Sequence, residues 1–390
     1  MSKAGRLPSL FLFRSSLLEA AREQDQAFTL PPCHASRGGG APGRAAPYDQ
    51  TDSVCPGHTD CTEPEVPNIY AALDLGTNNC RLLIARRCGS SFRVIDAFSR
   101  IVRLGEGLEF QGRLSQAAMD RTVAALSICA RKLRYRRAER VRAVATAACR
   151  RASNGDLFLR RVKLQTGVPL EVISSEEEAT LAYQGCVPLF EPEQPHVVVL
   201  DIGGGSTELC WLDRSGPGGS ERVRRAHSLP FGVVTLAERY GAKEVSDPVY
   251  RAMVYEAAEA LTDFDPDEEL GRLAANGQLQ LVGTSGTVTT LAGVHLGLPR
   301  YQRDRVDGIH LSRDTIVATS ALVRSLSFQA RAAHPCIGVQ RADLVIAGCA
   351  IVEAVLTLWP LPRLRVADRG LREGMLTRMI EQDLAGAAVP

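Results

Sequence analysis

The sequence predicts an α/β fold built from two similar halves that face each other across a cleft. One unit occurs twice: an apolar run ending in an aspartate, Asp74 or Asp201, then a turn of small residues and a second apolar run. An internal repeat of domain size predicts two halves with the same fold. Around these units, stretches with strand and helix periodicity alternate, as they do in layered α/β proteins.

The first half begins with a predicted β-hairpin, because apolar runs lie on both sides of the turn at 76–79. Apolar residues then recur with helical spacing over 119–133, and Ser115 precedes them as a candidate N-cap. The other elements predicted for this half are strands at 92–97, 141–145 and 170–173 and a helix near 156–165.

The second half repeats the opening unit. An apolar run at 197–200 leads into Asp201, a triple-glycine turn and a predicted strand at 207–212. A third turn, at 283–287, follows another apolar run, and a predicted helix leads from it towards His295. Three turns of small residues, each after an apolar strand, are the strongest pattern in the chain.

Composition limits the classes of function. A net charge of +2 argues against a protein that coats polyanions, no nucleic-acid motif occurs, and the longest apolar stretch, 344–359, contains Glu353 and is too short to span a bilayer. The 11 cysteines have irregular spacing, which predicts reduced thiols and a cytoplasmic location. Residues 1–66 have little periodic hydrophobicity and are predicted to be a disordered extension.

The turns are candidate phosphate sites, because small residues leave backbone N–H groups and hydroxyls open to an anion. Any one turn alone would be explained by ordinary hairpin glycines; two turns with an aspartate in the same position are harder to explain that way. The candidate phosphate-binding residues are Gly76, Thr77, Asn78, Asn79, Gly203, Gly204, Gly205, Ser206, Thr207, Gly283, Ser285 and Gly286.

Acidic residues beside these turns suggest the chemistry. Asp201 and Glu208 stand at the two ends of one tight hairpin, and converging carboxylates near phosphate indicate Mg²⁺; the alternative is that Glu208 is a solvated strand residue. Three glutamates at 176–178 follow a predicted strand. They are either favourable charges at a helix N-terminus or a source of the general base that activates water.

The sequence resembles the exopolyphosphatase / guanosine pentaphosphate phosphohydrolase family of the actin/Hsp70/sugar-kinase superfamily. The resemblance covers about residues 68 to 380 and rests on five motifs in the family's order: Asp74-Leu-Gly-Thr-Asn78, Ile173-Ser-Ser-Glu-Glu-Glu-Ala179, Asp201-Ile-Gly-Gly-Gly-Ser-Thr-Glu208, Gly283-Thr-Ser-Gly-Thr287 and Gly370-Leu-Arg-Glu-Gly374. It implies two ribonuclease H-like (actin-like ATPase) lobes flanking a cleft, at 67–193 and 194–374, with a C-terminal helix at about 375–386 packing back on the first lobe.

The resemblance also implies roles for individual residues. Glu178 corresponds to the family's general base, with Glu177 beside it as a second catalytic candidate. Asp201, Glu208 and Asp74 correspond to metal carboxylates, which implies Mg²⁺ as cofactor. Arg150 corresponds to a substrate-binding arginine. Two further arginines, Arg81 and Arg103, are either phosphate contacts or solvated side chains.

The sequence departs from the family pattern in three respects. Cys80 stands where relatives often carry Ser or a similar small residue. Ser175 stands where relatives have Gly, which would matter if the backbone there needed a positive φ. The chain also ends soon after Gly374, so it resembles a short form that lacks the helical phosphohydrolase domain of longer relatives.

The expected function is hydrolysis of phosphoanhydride bonds. The substrate would be inorganic polyphosphate, shortened by one orthophosphate at a time, or guanosine pentaphosphate, converted to the tetraphosphate of the stringent response. Two alternatives stay open: an ATP-dependent small-molecule kinase of the same superfamily, and a non-catalytic sensor of polyphosphate or alarmone. No nucleic-acid or membrane partner is expected, and a homodimer is compatible with the sequence.

Overall fold

The computed structural model describes residues 66–216, 220–241 and 243–387. The predicted disordered extension, apart from its last residue, lies outside the described residues. The first lobe contains a five-stranded sheet with the order β3-β2-β1-β4-β5. Its strands are β1 Ile69–Leu75, β2 Asn79–Cys88, β3 Ser91–Ile101, β4 Arg140–Ala145 and β5 Glu171–Val172. Strands β1 to β3 form an antiparallel meander, and β4 and β5 continue the sheet in parallel with β1.

The second lobe contains a six-stranded sheet with the order β10-β11-β9-β6-β7-β8. Its strands are β6 His196–Ile202, β7 Thr207–Asp213, β8 Arg222–Leu229, β9 Leu279–Thr284, β10 His310–Ser312 and β11 Arg363–Ala367. Strands β6 to β8 repeat the antiparallel meander, β9 and β11 continue in parallel, and β10 is an antiparallel edge. Two lobes that share a meander followed by parallel strands confirm the predicted ribonuclease H-like α/β fold.

Helices cover both sheets. Those between the first strands and the start of the second lobe are α1 Leu108–Gln111, α2 Gln116–Arg136, α3 Ala147–Arg151, α4 Gly155–Thr166 and α5 Ser175–Cys186. Those that follow are α6 Val233–Tyr240, α7 Asp247–Thr262, α8 Glu269–Ala275, α9 Gly286–His295, α10 Arg303–Val306, α11 Arg313–Ser325, α12 Phe328–Ala333, α13 Val345–Leu358 and α14 Leu371–Ala387. Within the described ranges, none of these helices has the length and apolar character to cross a membrane.

The predicted elements match the structure closely at most places. Helix α2 begins as expected, because the Ser115 hydroxyl accepts a hydrogen bond from the Ala118 N–H at 3.2 Å. The strand predicted at 170–173 is reduced to the two exposed residues of β5. It is short because Ser174 already caps helix α5, accepting a hydrogen bond from the Glu177 N–H at 3.1 Å.

Helices α5 and α14 run between the lobes and cross in close contact. Leu181 of α5 packs with the first sheet, and Ala179 of α5 packs with the second. The crossing depends on glycine: a Cβ atom on Gly374 would lie 1.9 Å from the Leu181 carbonyl oxygen, and one on Gly185 would lie 2.0 Å from the Gly370 carbonyl oxygen. The N-terminal turn of α5 is thereby held between the two sheets, where the cleft opens.

Candidate active site in the cleft between the lobes

The cleft has a volume of about 390 Å³ and is lined by the three small-residue turns. The first two turns have the same backbone geometry: the Gly76 N–H donates to the Asn79 carbonyl and the Gly203 N–H donates to the Ser206 carbonyl, both at 2.9 Å. The two turns also touch, since a Cβ atom on Gly204 would lie 3.1 Å from Cβ of Thr77. Glycine at this position leaves room for the two turns to face each other this closely.

The third turn lies beside the second, because β9 runs parallel to β6 and pairs Thr284 with Asp201. Its Ser285 is the N-cap of α9 and has a φ of 109°, a backbone conformation that residues other than glycine rarely adopt. Backbone strain of this kind is concentrated at binding and catalytic sites. The strain supports a ligand-binding role for this turn.

Six carboxylates line the cleft, and four of them are residues that the sequence analysis singled out: Asp74, Glu178, Asp201 and Glu208. Glu178 and Glu208 are 8% and 2% exposed. Burial raises the pKa of Asp201 to about 6, with a further contribution from Asp74, and it raises the pKa of Glu208 to about 7, with a further contribution from Asp201. The pKa of Asp74 is raised by burial as well. The pKa values of Asp201 and Glu208 therefore lie near neutral pH, as those of catalytic and metal-binding carboxylates often do.

The carboxylate of Glu178 is held in place by hydrogen bonds from Arg150. Both Arg150 guanidinium nitrogens Nη1 and Nη2 donate to its Oε2, at 3.2 and 3.3 Å, and Nη1 also donates to the Ile173 carbonyl at 2.8 Å. Burial, followed by the charge of Glu208, raises the pKa of Glu178 well above its ordinary value, and Arg150 counteracts this rise. A buried carboxylate with a raised pKa and a fixed orientation is suited to accept a proton from water.

Most of the predicted site residues lie in this cleft. The predicted residues that line the cleft are Asp74, Gly76, Thr77, Asn78, Asn79, Arg81, Glu178, Asp201, Gly203, Gly204, Gly205, Ser206, Glu208, Ser285 and Gly286. The backbone at Ser175 does not have a positive φ, so the replacement of glycine there introduces no strain.

The other predicted residues have different surroundings. Glu177 points away from the cleft and pairs with Arg142 at 2.6 Å. Thr207 is buried in β7, where its hydroxyl donates to the Phe231 carbonyl at 2.9 Å. Gly283 lies inside β9 against the side chains of Leu364 and Val288. None of these three lines the cleft, because strand and helix geometry turns each of them into the core or away from the opening.

Two arginines also differ from the sequence-based expectation. Arg150 contacts Glu178 instead of the open cleft. Arg103 forms a two-pronged ion pair with Asp343 of the second lobe, with Nη1–Oδ2 and Nη2–Oδ1 distances of 2.8 and 3.0 Å. Both guanidinium groups therefore position protein groups around the cleft, and neither is among its lining residues.

Sequence reasoning missed part of the cleft wall. The additional charged residues that line it, together with one tyrosine, are Tyr301, Arg303, Arg341, Asp368, Arg369, Arg372 and Glu373. Arg372 and Glu373 belong to the motif at 370–374, which the sequence analysis used for the family resemblance without assigning these two residues to the site. The arginine at 341 follows no recognisable pattern, and only the folded chain brings it to the cleft.

A divalent cation fits the chemistry of this site. Asp201 and Glu208 supply hard oxygen donors, and the Asn78 Oδ1 atom is buried with no hydrogen-bond partner in the described part of the chain. Among residues 66–216, 220–241 and 243–387, no three His, Cys, Asp or Glu side chains form a group that could hold a metal on their own. Mg²⁺ commonly binds through one or two carboxylates together with water and substrate phosphates, and this donor set suits that mode.

Facing ribonuclease H-like lobes, with anion-binding turns and buried carboxylates between them, define an enzyme of the actin-like fold that handles phosphate groups. The chain belongs to the Ppx/GppA phosphatase family, whose sequence model matches residues 83–383.

Solved structures agree with this assignment. The Aquifex aeolicus member of the Ppx/GppA protein family is 31% identical, with a TM-score of 0.64, and the match covers 81% of this chain and 98% of that one. An exopolyphosphatase-like protein is 27% identical, with a TM-score of 0.72 over 80% of this chain and 99% of that one. An exopolyphosphatase from Cytophaga hutchinsonii has the same fold at 24% identity, with a TM-score of 0.72 over 80% of this chain and 98% of that one.

Proposed function

We propose that this phosphatase hydrolyses terminal phosphoanhydride bonds, releasing orthophosphate from inorganic polyphosphate, from guanosine pentaphosphate or from both. The observation that carries the proposal is the position of Glu178, a buried carboxylate fixed by Arg150 at the edge of two facing phosphate-type turns. A carboxylate in that place can deprotonate water beside a bound phosphate. The 27% identical exopolyphosphatase-like protein supports polyphosphate as one substrate.

In the proposed reaction, the backbone N–H groups of the turns at Gly76 and Gly203 hold the terminal phosphates. Glu178 accepts a proton from water as the water oxygen bonds to the terminal phosphorus. The bond from that phosphorus to the bridging oxygen breaks, which releases orthophosphate and leaves the bridging oxygen as the new terminal oxygen of the shortened substrate. The guanidinium of Arg81 lies in the cleft and neutralises part of the substrate charge. Mg²⁺, when held by Asp201 and Glu208 with Asp74 nearby, supplies further neutralisation of phosphate charge.

The site favours water over an organic acceptor. Glu178 lies in the cleft beside the two turns, so a candidate proton acceptor is present before any second substrate binds. We therefore assign transfer to water. The eight cysteines in the described ranges are all free thiols, which suits activity in a reducing compartment such as the cytoplasm.

The test is release of orthophosphate by the purified protein with Mg²⁺, using long-chain polyphosphate and guanosine pentaphosphate in parallel. Wild type is expected to be active, and Glu178→Gln is expected to lose at least about 100-fold in kcat, the typical contribution of a general base. Glu177→Gln is the matched control, because it removes the neighbouring carboxylate that lies outside the cleft. No release from either substrate by folded protein, or consumption of ATP only when an acceptor is added, contradicts the assignment.

A further inference from the structure

Thr146 is a buried residue of the cleft wall that the proposed reaction does not use. It is 3% exposed and lines the cleft together with Glu178. Thr146 is the N-cap of α3, yet its side chain makes no capping hydrogen bond. In α2, α5 and α11, by contrast, the hydroxyl of the N-cap serine accepts a hydrogen bond from the helix. Because buried polar groups normally have a partner, the hydroxyl of Thr146 is available to a molecule bound in the cleft.

The backbone of Thr146 is held on both sides. Its N–H donates to the Leu75 carbonyl at 3.1 Å, and its carbonyl accepts from the N–H groups of Cys149 and Arg150, both at 3.1 Å. Arg150 is also the residue that holds the carboxylate of Glu178. The hydroxyl is therefore carried by a fixed segment that also positions the proposed base.

Strand order places Thr146 between the first phosphate turn and the helix that carries the proposed base. Strands β1, β4 and β5 are parallel neighbours, and Ala145 of β4 pairs with Leu75 on one side and with Val172 on the other. All three strands end in this row. The next residue after β1 is Gly76 of the phosphate turn, the next after β4 is Thr146, and α5 begins shortly after β5. Ligands of parallel sheets bind at this edge.

The side chain of Thr146 lies on the same face of the sheet as that helix. Val144 packs in one core cluster with Leu181 of α5, and it pairs across the sheet with Asp74. Side chains two residues apart along an extended chain point to the same face, so Thr146 shares the face of Val144. The hydroxyl and the first turn of α5 therefore meet at the same corner of the cleft.

We propose that Thr146 is a further catalytic residue, whose hydroxyl oxygen accepts one hydrogen bond from the attacking water while Glu178 accepts the other. The inference rests on the proposed function and adds the group that orients the nucleophile. A water molecule with both hydrogens held in this way directs a lone pair at the terminal phosphorus. Glu178 takes one proton as the oxygen–phosphorus bond forms, the other hydrogen leaves with orthophosphate, and the hydroxyl keeps its own proton. Two fixed acceptors reduce the entropy that the reaction must lose.

Kinetics with full-length protein test this role. Thr146→Val removes the hydroxyl while keeping the shape, and kcat for orthophosphate release is expected to fall at least about tenfold, with KM little changed. Thr146→Ser keeps a hydroxyl and is expected to recover most of the activity. Thr122→Val is the matched control, because it removes a buried hydroxyl of the same lobe that donates to the Ala118 carbonyl at 2.7 Å, outside the cleft. A raised KM with unchanged kcat would assign the hydroxyl to substrate binding, and equal losses in Thr146→Val and Thr146→Ser would assign it to packing; either result overturns the proposal.

A second measurement needs no turnover. Orthovanadate becomes five-coordinate in such sites and places an apical oxygen where the attacking water would lie, whereas orthophosphate stays tetrahedral. Both anions are titrated calorimetrically into full-length protein at fixed Mg²⁺ and ionic strength. Thr146→Val is expected to weaken orthovanadate binding at least about tenfold, the effect of one lost hydrogen bond to a charged group, and to change orthophosphate binding much less.

Two binding results overturn the role of Thr146: unchanged orthovanadate affinity in Thr146→Val, or equal weakening of orthovanadate and orthophosphate. The second result would indicate a general contact with phosphate oxygens. Because neither anion is hydrolysed, this result decides the role of Thr146 even if the wild-type protein releases no orthophosphate from polyphosphate or guanosine pentaphosphate. Absent release with a retained selective loss of orthovanadate binding would contradict the proposed substrates alone.

Discussion

Arg150 at the end of α3 donates two hydrogen bonds to a single carboxylate oxygen of Glu178 in the first turn of α5, at 3.2 and 3.3 Å. The pair is largely screened from solvent, since the side chains are 24% and 11% exposed. It opposes the influences that favour protonation of Glu178, of which burial and the charge of Glu208 are the largest and the charges of Asp74 and Asp201 are smaller. Arg150 is thus a positioning residue that also favours the ionised form of the proposed base.

Arg150→Met is expected to move the acid limb of the kcat profile to higher pH. Glu178 accepts a proton only when ionised, and without Arg150 its pKa rises further above the ordinary value. At pH 7 kcat is expected to fall at least about tenfold, with partial recovery at alkaline pH. The measurement is the pH dependence of orthophosphate release from pH 5 to 9.5. A raised KM with an unmoved acid limb would show that Arg150 binds substrate instead, and Arg150→Lys should lie between wild type and Arg150→Met.

The metal-free protein is expected to lose stability between about pH 5 and pH 7.5. The folded-state pKa values of Asp201 and Glu208, about 6 and about 7, lie above those of the unfolded chain. Groups with raised pKa values contribute stability at low pH, and that contribution disappears as pH rises through the folded-state value. Thermal unfolding across this range is expected to show the fall, and Asp201→Asn should flatten it. Stability that rises over this window in both proteins would contradict the raised values.

Mg²⁺ is expected to reverse that trend. The ion binds ionised carboxylates, so the stabilisation it produces should increase with pH as Asp201 and Glu208 lose their protons. The measurement is the melting temperature with and without millimolar Mg²⁺ at pH 5 and pH 8. Asp201→Asn serves as the control and should respond weakly at both values. An equal response at both pH values would place the ion away from these carboxylates.

Gly374→Ala is expected to destabilise the fold by about 3 kcal/mol or more, because the new methyl group would overlap the Leu181 carbonyl at the crossing of α5 and α14. Gly386→Ala is the matched control in the same helix, with nothing within 4 Å of its Cβ position. It should stabilise the helix by about 0.5–1 kcal/mol. Chemical denaturation measures both effects, and equal behaviour of the two variants would mean that the helices can separate without cost.

Arg103→Gln is expected to change substrate affinity more than stability. The Arg103–Asp343 pair is partly exposed and contributes about 0–1 kcal/mol to folding, yet it holds the loop of Arg341 against the first lobe. We expect the KM for short polyphosphate to rise several-fold with a melting temperature within a few degrees of wild type. Arg161→Gln, which breaks a comparable pair with Asp120 inside the first lobe, is the control. A large loss of stability with unchanged KM would contradict this role.

The local pattern of the sequence was sufficient to predict the two hairpins and their turns. Each hairpin pairs its aspartate with a residue that also lines the cleft, Asp74 with Arg81 and Asp201 with Glu208. Tight turns determine such register within a few residues, so alternation and turn chemistry identify it directly. The strand–turn–helix unit around Ser285 could be predicted for the same reason, because it is formed by residues that are close together in the sequence.

The remaining site residues depend on long-range packing. The sequence cannot show that Glu177 turns towards Arg142 while Glu178 turns into the cleft, because one residue along a helix rotates a side chain by roughly 100°. Arg341 is brought to the cleft by a loop whose position depends on an ion pair with a residue in the other lobe. Likewise, Gly283 belongs to a turn motif, yet the strand continues through it and buries it.

Helix α14 packs against the sheet of the first lobe, and this contact has a consequence for biosynthesis. Met375, Leu376 and Ile380 pack in one cluster with Tyr70 and Leu83 of the first sheet. During translation, those strands leave the ribosome about three hundred residues before their covering helix is made, at a rate of about 5–20 residues per second. The first sheet therefore stays uncovered on this face until α14 has been synthesised, and a ribosome stalled within the second lobe would leave that apolar face open to chaperones.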